Sequence, residues 1–329
     1  MTFKADLKAR MQCHLLDNYY RCKKVCDRCG AIQPMDSRPH PMTYKNTAKD
    51  APYARTCKDH DAYMAAARHP TPWCAVEGFQ FETISFDTMH LIYLGIAKNH
   101  VPSCLKILKL WGFYYESSDE TNEKFLKRVS IEMKQDCKEH RFLVWLYLPK
   151  RVLTLANCGS FGTEDYCELG SRFKAAHIRV MVWWVAFKVR QLTNNTEDQV
   201  LRLLAACSYS LAQAQDLMDS AGLILSPHEA AEISRMLRVH LRSTEFLASI
   251  CWENSIMAFK MRPKHHYVWH IANDVLTSRL NPRLHHVWSD EKFLGCIKKV
   301  ACRCHGSSVQ KRAIERYLVA LSGYLAKMA

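Results

Sequence analysis

The order of apolar and polar residues predicts a mainly helical chain with one distinctive apolar stretch in its first third. Residues 81–98, FETISFDTMHLIYLGIAK, are rich in β-branched and aromatic residues, which favour a strand or a buried helix. After this stretch the apolar residues return at helical spacing, and over residues 171–191 they surround the predicted helix almost completely. Residues 142–148 favour a further strand. We therefore expect a predominantly α fold with some α+β character.

The same pattern divides the chain into two predicted regions. Residues 1–72 form a basic, cysteine-rich N-terminal region in which proline and polar residues interrupt the helical periodicity. Residues 73–329 form the main helical or mixed domain.

An acid and an imidazole, Asp87 and His90, lie inside the apolar stretch. Burying an ionised carboxylate costs several kcal/mol unless another group pairs with it, so Asp87 needs a partner. Two interpretations remain open. Asp87 caps a helix that begins at Thr88, or it lies at the end of a strand and holds a metal ion.

The N-terminal region contains a candidate zinc knuckle, Cys26-Asp-Arg-Cys29. Two thiolates at this spacing can bind one zinc ion from a single turn. Cys57 and His60 repeat the spacing and would complete a Cys3His site with a structural role. The alternative is a reduced, metal-free pair of cysteines. Farther along, two histidines at positions 266 and 270 share one helical face, a spacing compatible with zinc but without the glutamate of the zincin motif.

The charge of the chain favours a polyanionic partner. The net charge is +14, which favours nucleic acid first and an anionic membrane surface second. Six candidate binding residues lie in two basic segments: Arg262, Lys264, His266, Lys298, Lys299 and Arg303.

The sequence also bears on location and assembly. It has no run of eighteen apolar residues, so we expect no membrane span. The basic N-terminus lacks an apolar core behind it, so we expect no secretion. The 15 cysteines are then expected to be reduced thiols or metal ligands in the nucleus or cytoplasm. A homo-oligomer remains open.

Three segments, FDTMHLIYLGIAK, RPKHHYVWHI and NPRLHHVWSDEKFLGCIKK, together resemble a set of transposon-derived proteins. These are uncharacterised cut-and-paste transposase-like families with a D-x-M-H…L-G block and a late D-E-x-F-x-G block. The resemblance implies an RNase-H-like mixed core interrupted by a long helical insertion. It also implies DNA strand cleavage and transfer by DDE-type carboxylates on Mg²⁺.

Carried onto this sequence, the resemblance makes Asp87 the first catalytic acid and Glu291, or Asp290, the last. Asp165 and Asp136 are candidates for the middle acid, which has no clear match. Two other functions remain open beside a DDE-type nuclease or transposase. One is a non-catalytic, zinc-stabilised DNA-binding protein, and the other is a helical protein-interaction protein whose basic surface is incidental.

Overall fold

The computed structural model of the chain describes residues 3–5, 7–16, 18–34, 40–117, 119–140, 153–194 and 196–325. Within these ranges it does not describe the side chains of residues 3–5, 9, 288–294, 310, 320 and 324–325. The chain forms two compact units, Met1–His285 (unit 1) and His286–Ala329 (unit 2). The described residues of the predicted N-terminal region lie in unit 1 together with those of 73–285.

The described residues are predominantly helical, as the apolar periodicity predicts. The α-helices of unit 1 are α1 (Leu7–Cys13), α2 (His60–Ala66), α3 (Ala97–Leu110), α4 (Asn122–Glu139), α5 (Leu155–Cys158), α6 (Ala175–Thr193), α7 (Gln199–Ser220), α8 (Pro227–Glu253) and α9 (Pro263–Ser278). Those of unit 2 are α10 (Trp288–Ala301) and α11 (Val309–Leu325). Short 3₁₀ turns span Pro52–Thr56, Pro72–Ala75, Phe81–Thr83, Pro282–His285 and Gly306–Ser308. No helix among these residues is both long and apolar enough to cross a membrane.

Strand structure is confined, within the described residues, to one parallel pair. β1 (Phe3–Ala5) pairs with β2 (Ile84–Phe86) in the register Phe3 to Ile84. The strand expected at residues 142–148 lies outside the described residues. The larger mixed sheet that an RNase-H-like core requires is not present among the residues described.

The core of unit 1 is a layer of long helices that pack in chain order. α7 lies between α6 and α8, and α8 also packs on α9. α6 is buried on most of its surface, with Trp184 among the largest fully buried side chains of the protein. Local signals define the ends of these helices: the Ser226 hydroxyl accepts a hydrogen bond from the Glu229 amide, with Pro227 in the first turn of α8.

The apolar stretch 81–98 is both strand and helix. β2 ends at Phe86, and a π-helix, Met89–Ile96, then leads directly into α3. This π-helix packs against α6 and α9. A π-helix is rare and occurs mostly as a single turn within an α-helix. Here the Lys264 ammonium on α9 donates to the His90 and Leu94 carbonyls, at 3.0 Å and 3.2 Å.

Close approach of Lys264 depends on Gly95. A Cβ at position 95 would lie 2.7 Å from Lys264 Cδ and 2.9 Å from the His90 carbonyl oxygen. A side chain at this position would therefore push α9 away from the π-helix.

Candidate metal centre

The cysteines of the predicted zinc knuckle lie in a tight hairpin. Val25 N donates to Ala31 O at 3.0 Å and Gln33 N donates to Lys23 O at 2.8 Å, so the chain reverses around Cys26–Gly30. The Arg28 amide then points at the Cys26 sulfur, 3.4 Å away. Amide-to-sulfur bonds of this kind stabilise a thiolate, which is the form of cysteine that binds zinc.

The other half of the centre is the buried face of α9. His266 and His270 are one helical turn apart, and their Nε2 atoms are 3.2 Å from each other. Cys26 Sγ is 3.3 Å from His270 Nε2, and Cys29 Sγ is 3.3 Å from His266 Nε2. All four side chains are buried, and their ligand atoms lie within 4.8 Å of one another.

These separations match the edges of a zinc coordination tetrahedron. With Zn–S bonds of about 2.3 Å and Zn–N bonds of about 2.0 Å, neighbouring ligands lie roughly 3.3–3.8 Å apart. Two thiols and two imidazoles are the donor set that zinc prefers. The cluster can therefore hold a metal ion such as zinc, as a Cys2His2 site.

Ion pairs hold the hairpin against the rest of unit 1. Arg28 Nη1 lies 2.5 Å from Asp274 Oδ2 on α9, and Arg10 Nη2 on α1 lies 2.5 Å from Asp27 Oδ2. The Tyr267 hydroxyl donates to the Val25 carbonyl. These contacts orient the cysteines from both sides, as supporting groups do around metal ligands.

The electrostatics favour charge on the cluster even without a metal. Burial opposes ionisation of Cys26, but a hydrogen bond with Cys29 and the nearby His270 and His266 hold the pKa of the Cys26 thiol well below its usual range. Burial opposes protonation of His270, but the Cys26 charge, a hydrogen bond with Cys26 and the Asp274 charge together outweigh it and raise the His270 pKa. The two shifts favour a negative charge on Cys26 beside a positive charge on His270.

The second predicted pair of ligands, Cys57 and His60, lies outside the four-residue cluster. Cys57 is exposed and close to the cluster: a hydrogen bond with Cys29 lowers the pKa of its thiol to about 7. His60 opens α2, and its Nδ1 accepts the Phe81 amide at 3.2 Å. His266 and His270 thus occupy the places that the sequence assigned to Cys57 and His60.

Asp87, the first predicted catalytic acid, is buried with only 1% of its surface exposed. Its Oδ1 accepts the Met89 amide at 2.9 Å and lies 3.4 Å from the His90 amide, while its Oδ2 lies 2.5 Å from His90 Nδ1. Asp87 therefore does what a helix-capping aspartate does, at the end of a strand. Both positions that the sequence suggested are found, and the carboxylate is paired locally.

The other predicted acids do not gather around Asp87 within the described residues. Asp165 is an exposed loop residue whose carbonyl accepts the Lys106 ammonium at 2.7 Å. The Asp136 carboxylate accepts a hydrogen bond from the Trp184 indole N–H at 2.9 Å. The side chains of Asp290 and Glu291, in the first turn of α10, lie outside the described residues.

The predicted nucleic-acid-binding residues divide into two groups. In unit 1, Arg262 makes a two-pronged contact with Glu168, at 3.0 Å and 2.5 Å, and Lys264 and His266 are used inside the fold. Burial lowers the pKa of Lys264 to about 8, with the charges of Arg262 and Lys98 adding to the effect. In unit 2 the remaining three, Lys298, Lys299 and Arg303, are exposed.

No protein-family model matches this chain, and comparison with curated proteins and with solved structures likewise finds no match.

Proposed function

We propose that this chain is a zinc-stabilised nucleic-acid-binding protein of transposon origin. The zinc part of the proposal draws on the Cys2His2 cluster. Four protein ligands leave no open coordination position for a substrate or an attacking water, so the ion has a structural role. It fastens the N-terminal hairpin to α9, two segments that are far apart in the chain.

The observation that carries nucleic-acid binding is the basic surface of unit 2. This unit contains eight lysines and arginines and three acids, an excess of positive charge concentrated in 44 residues. Six of the basic side chains are exposed on α10, on α11 and just after α10: Lys298, Lys299, Arg303, Lys311, Arg312 and Arg316. Among the described side chains of unit 2, the acid available to them is Glu315, 3.8 Å from Lys311.

A solvated cluster of this kind binds phosphates. Each lysine or arginine that contacts a phosphate displaces a condensed counterion, so affinity falls as salt rises. Base contacts are not needed for this part of the binding, and we therefore propose backbone contacts without sequence preference.

The test measures binding of the full chain to a short DNA duplex by fluorescence anisotropy over a range of salt concentrations. The triple variant Lys298→Ala/Lys299→Ala/Arg303→Ala is expected to bind more weakly and with a shallower salt dependence. The slope of log affinity against log salt should fall by about 1 for each lost phosphate contact, hence by about 3 in total.

A matched triple variant on α4 controls for the loss of net charge. Lys124, Lys127 and Lys138 are exposed there in unit 1, and their replacement by alanine removes the same three charges. This control should keep most of the salt slope. Equal losses in both triple variants would show that general charge, and not unit 2, is responsible. No retention of duplex by the wild type at low salt would refute nucleic-acid binding altogether.

The resemblance also implies an RNase-H-like core with Mg²⁺-dependent strand cleavage by Asp87 and Glu291 or Asp290. No contact among the described residues favours this second function, since Asp87 is paired with His90 and the Met89 amide. A nicking assay with supercoiled plasmid and Mg²⁺ tests it directly. Cleavage that Asp87→Ala abolishes would add catalysis to the proposed function.

A further inference from the structure

A second cluster of metal-ligating side chains lies inside the helical layer, away from the zinc knuckle in the chain. His100 belongs to α3, Cys207 to α7 and His240 to α8. All three are buried, with at most 2% of their surface exposed. Their ligand atoms lie within 4.8 Å of one another.

Cys207 lies beside both imidazoles of this cluster. Cys207 Sγ lies 3.5 Å from His240 Nδ1 and 3.8 Å from His100 Nδ1. The two imidazole rings meet edge to face, with their centroids 5.1 Å apart. One thiol and two imidazoles therefore converge in one buried place, as the ligands of a single zinc ion do.

The His240 imidazole has one nitrogen without a hydrogen-bond partner among the described residues. His240 Nδ1 is 2.9 Å from the Cys207 carbonyl, so it carries the proton and donates. The other nitrogen, Nε2, is then an unprotonated acceptor, and it is buried without a hydrogen-bond partner among the described residues. An acceptor nitrogen buried without a partner is unfavourable, because folding has removed its hydrogen bond with water. A metal ion removes this cost, and a backbone carbonyl on the opposite nitrogen is the usual support of a metal-bound histidine.

Ser208 orients the imidazole of His100. The Nε2 atom of His100 is 3.2 Å from the Ser208 hydroxyl on α7. Ser208 can therefore hold this imidazole with Nδ1 facing Cys207 Sγ, 3.8 Å away. Cys104 lies one turn after His100 on α3, with its Sγ 3.5 Å from His100 Nε2 and 3.7 Å from Nδ1, and it is not part of the three-residue cluster.

We propose that His100, Cys207 and His240 form a second metal site that takes a zinc-class divalent cation. A thiol and two imidazoles select zinc over magnesium or calcium, which prefer oxygen ligands. The site would join α3, α7 and α8 at the centre of unit 1. It shares no residue with the Cys26/Cys29/His266/His270 centre, so each site can be removed separately.

The experiment measures zinc per chain by elemental analysis of the purified, reduced full chain. The wild type and the control variant Cys137→Ala are expected to contain about two zinc ions. Cys207→Ala and Cys26→Ser are each expected to contain about one. The matched control for the buried cysteine is Cys137→Ala, because Cys137 is fully buried on α4 outside both clusters.

The two sites give distinguishable failures. One zinc in the wild type, retained by Cys207→Ala and lost by Cys26→Ser, would overturn the second site and leave the first intact. Zinc retained by Cys26→Ser and lost by Cys207→Ala would instead refute the knuckle centre.

A titration of the stripped wild type with Co²⁺ keeps the proposal falsifiable if a variant does not fold. Thiolate-to-cobalt charge-transfer absorption should rise over about two equivalents of Co²⁺ if two thiolate sites exist. Saturation at one equivalent would overturn the second site.

Discussion

Two segments pack on α9: the hairpin around Cys26–Gly30 and the apolar stretch 81–98. Each brings chemically reactive side chains into the core, but the bonding partners of those side chains come from different parts of the chain. The knuckle cysteines meet histidines that are 244 and 237 positions away in the chain. Asp87 finds its partners, the Met89 amide and the His90 imidazole, within three positions. The first arrangement gathers ligand atoms from remote segments, whereas the second completes its hydrogen bonds locally.

The difference separates a binding site from a structural polar group. Two thiols and two imidazoles that converge in a buried space cannot satisfy one another fully by hydrogen bonds. A bound cation supplies the missing interaction. A carboxylate that caps its own helix and pairs with the next turn needs no ion. The presence of an acid in an apolar stretch is therefore weaker support for a metal than the convergence of distant thiols and imidazoles.

The largest expected effect is loss of the knuckle centre. Cys26→Ser removes one thiolate, so zinc should be lost and the hairpin released from α9. Loss of a structural metal is among the few single changes that cost about 4 kcal/mol or more. Limited trypsin digestion should then cut at Lys23 and Lys24, while α7 and α8 stay protected.

Cys13→Ser is the control for this prediction, because Cys13 is exposed and belongs to neither cluster. Chelation of zinc from the wild type should reproduce the digestion pattern of Cys26→Ser. Equal protection of the hairpin in all these samples would mean that the ion pairs of Arg28 and Arg10 hold it without metal.

An intermediate effect is expected at Asp87. Asp87→Ala removes the cap and the partner of His90, which should lower the free energy of unfolding by about 2 kcal/mol. Asp87→Asn keeps an acceptor for the Met89 amide and should cost less. The measurement is chemical denaturation followed by circular dichroism, with and without Mg²⁺.

Magnesium distinguishes the two roles of Asp87. A cap predicts the same denaturation midpoint in the presence and absence of Mg²⁺ for the wild type and for Asp87→Ala. A midpoint that rises with Mg²⁺ in the wild type alone would make Asp87 a metal ligand.

The smallest effect is expected at Gly95, where the π-helix meets α9. Gly95→Ala introduces a Cβ against Lys264 and the His90 carbonyl, and because the flexible Lys264 side chain can shift, this overpacking should cost about 1 kcal/mol. Hydrogen-exchange protection of the π-helix and α9 should fall.

The matched control is Gly295→Ala in α10, where a Cβ would meet no atom within 4 Å. Alanine is favoured over glycine inside a helix, so α10 should keep or gain protection. Unchanged protection around Gly95→Ala would show that α9 is positioned by the metal centre and not by this contact.

The sequence predicted much of the helical architecture because periodicity and caps are local. The start of α8 follows from Ser226, Pro227 and Glu229, and the buried nature of α6 follows from its nearly continuous apolar surface. Asp87 lies at both a strand end and a helix start, which the sequence had offered as alternatives.

The sequence revealed the two ligand pairs of the metal centre but not that they belong together. The Cys26–Cys29 pair and the His266–His270 pair each have recognisable spacing. Their pairing was missed, because Cys57 and His60 repeat the same spacing nearer in the chain. The sequence indicated less of the second cluster, because His100, Cys207 and His240 lie far apart in the chain on three different helices.

The sequence by itself determined which segments become helices, which helix faces are apolar and which ligand types are available. Those properties depend on a few neighbouring residues. Only the tertiary structure decided which thiols meet which imidazoles, and that Arg262, Lys264 and His266 serve the fold while Lys298, Lys299 and Arg303 remain exposed. The reason is that a coordination site depends on distances between remote segments, and packing of the helices sets those distances.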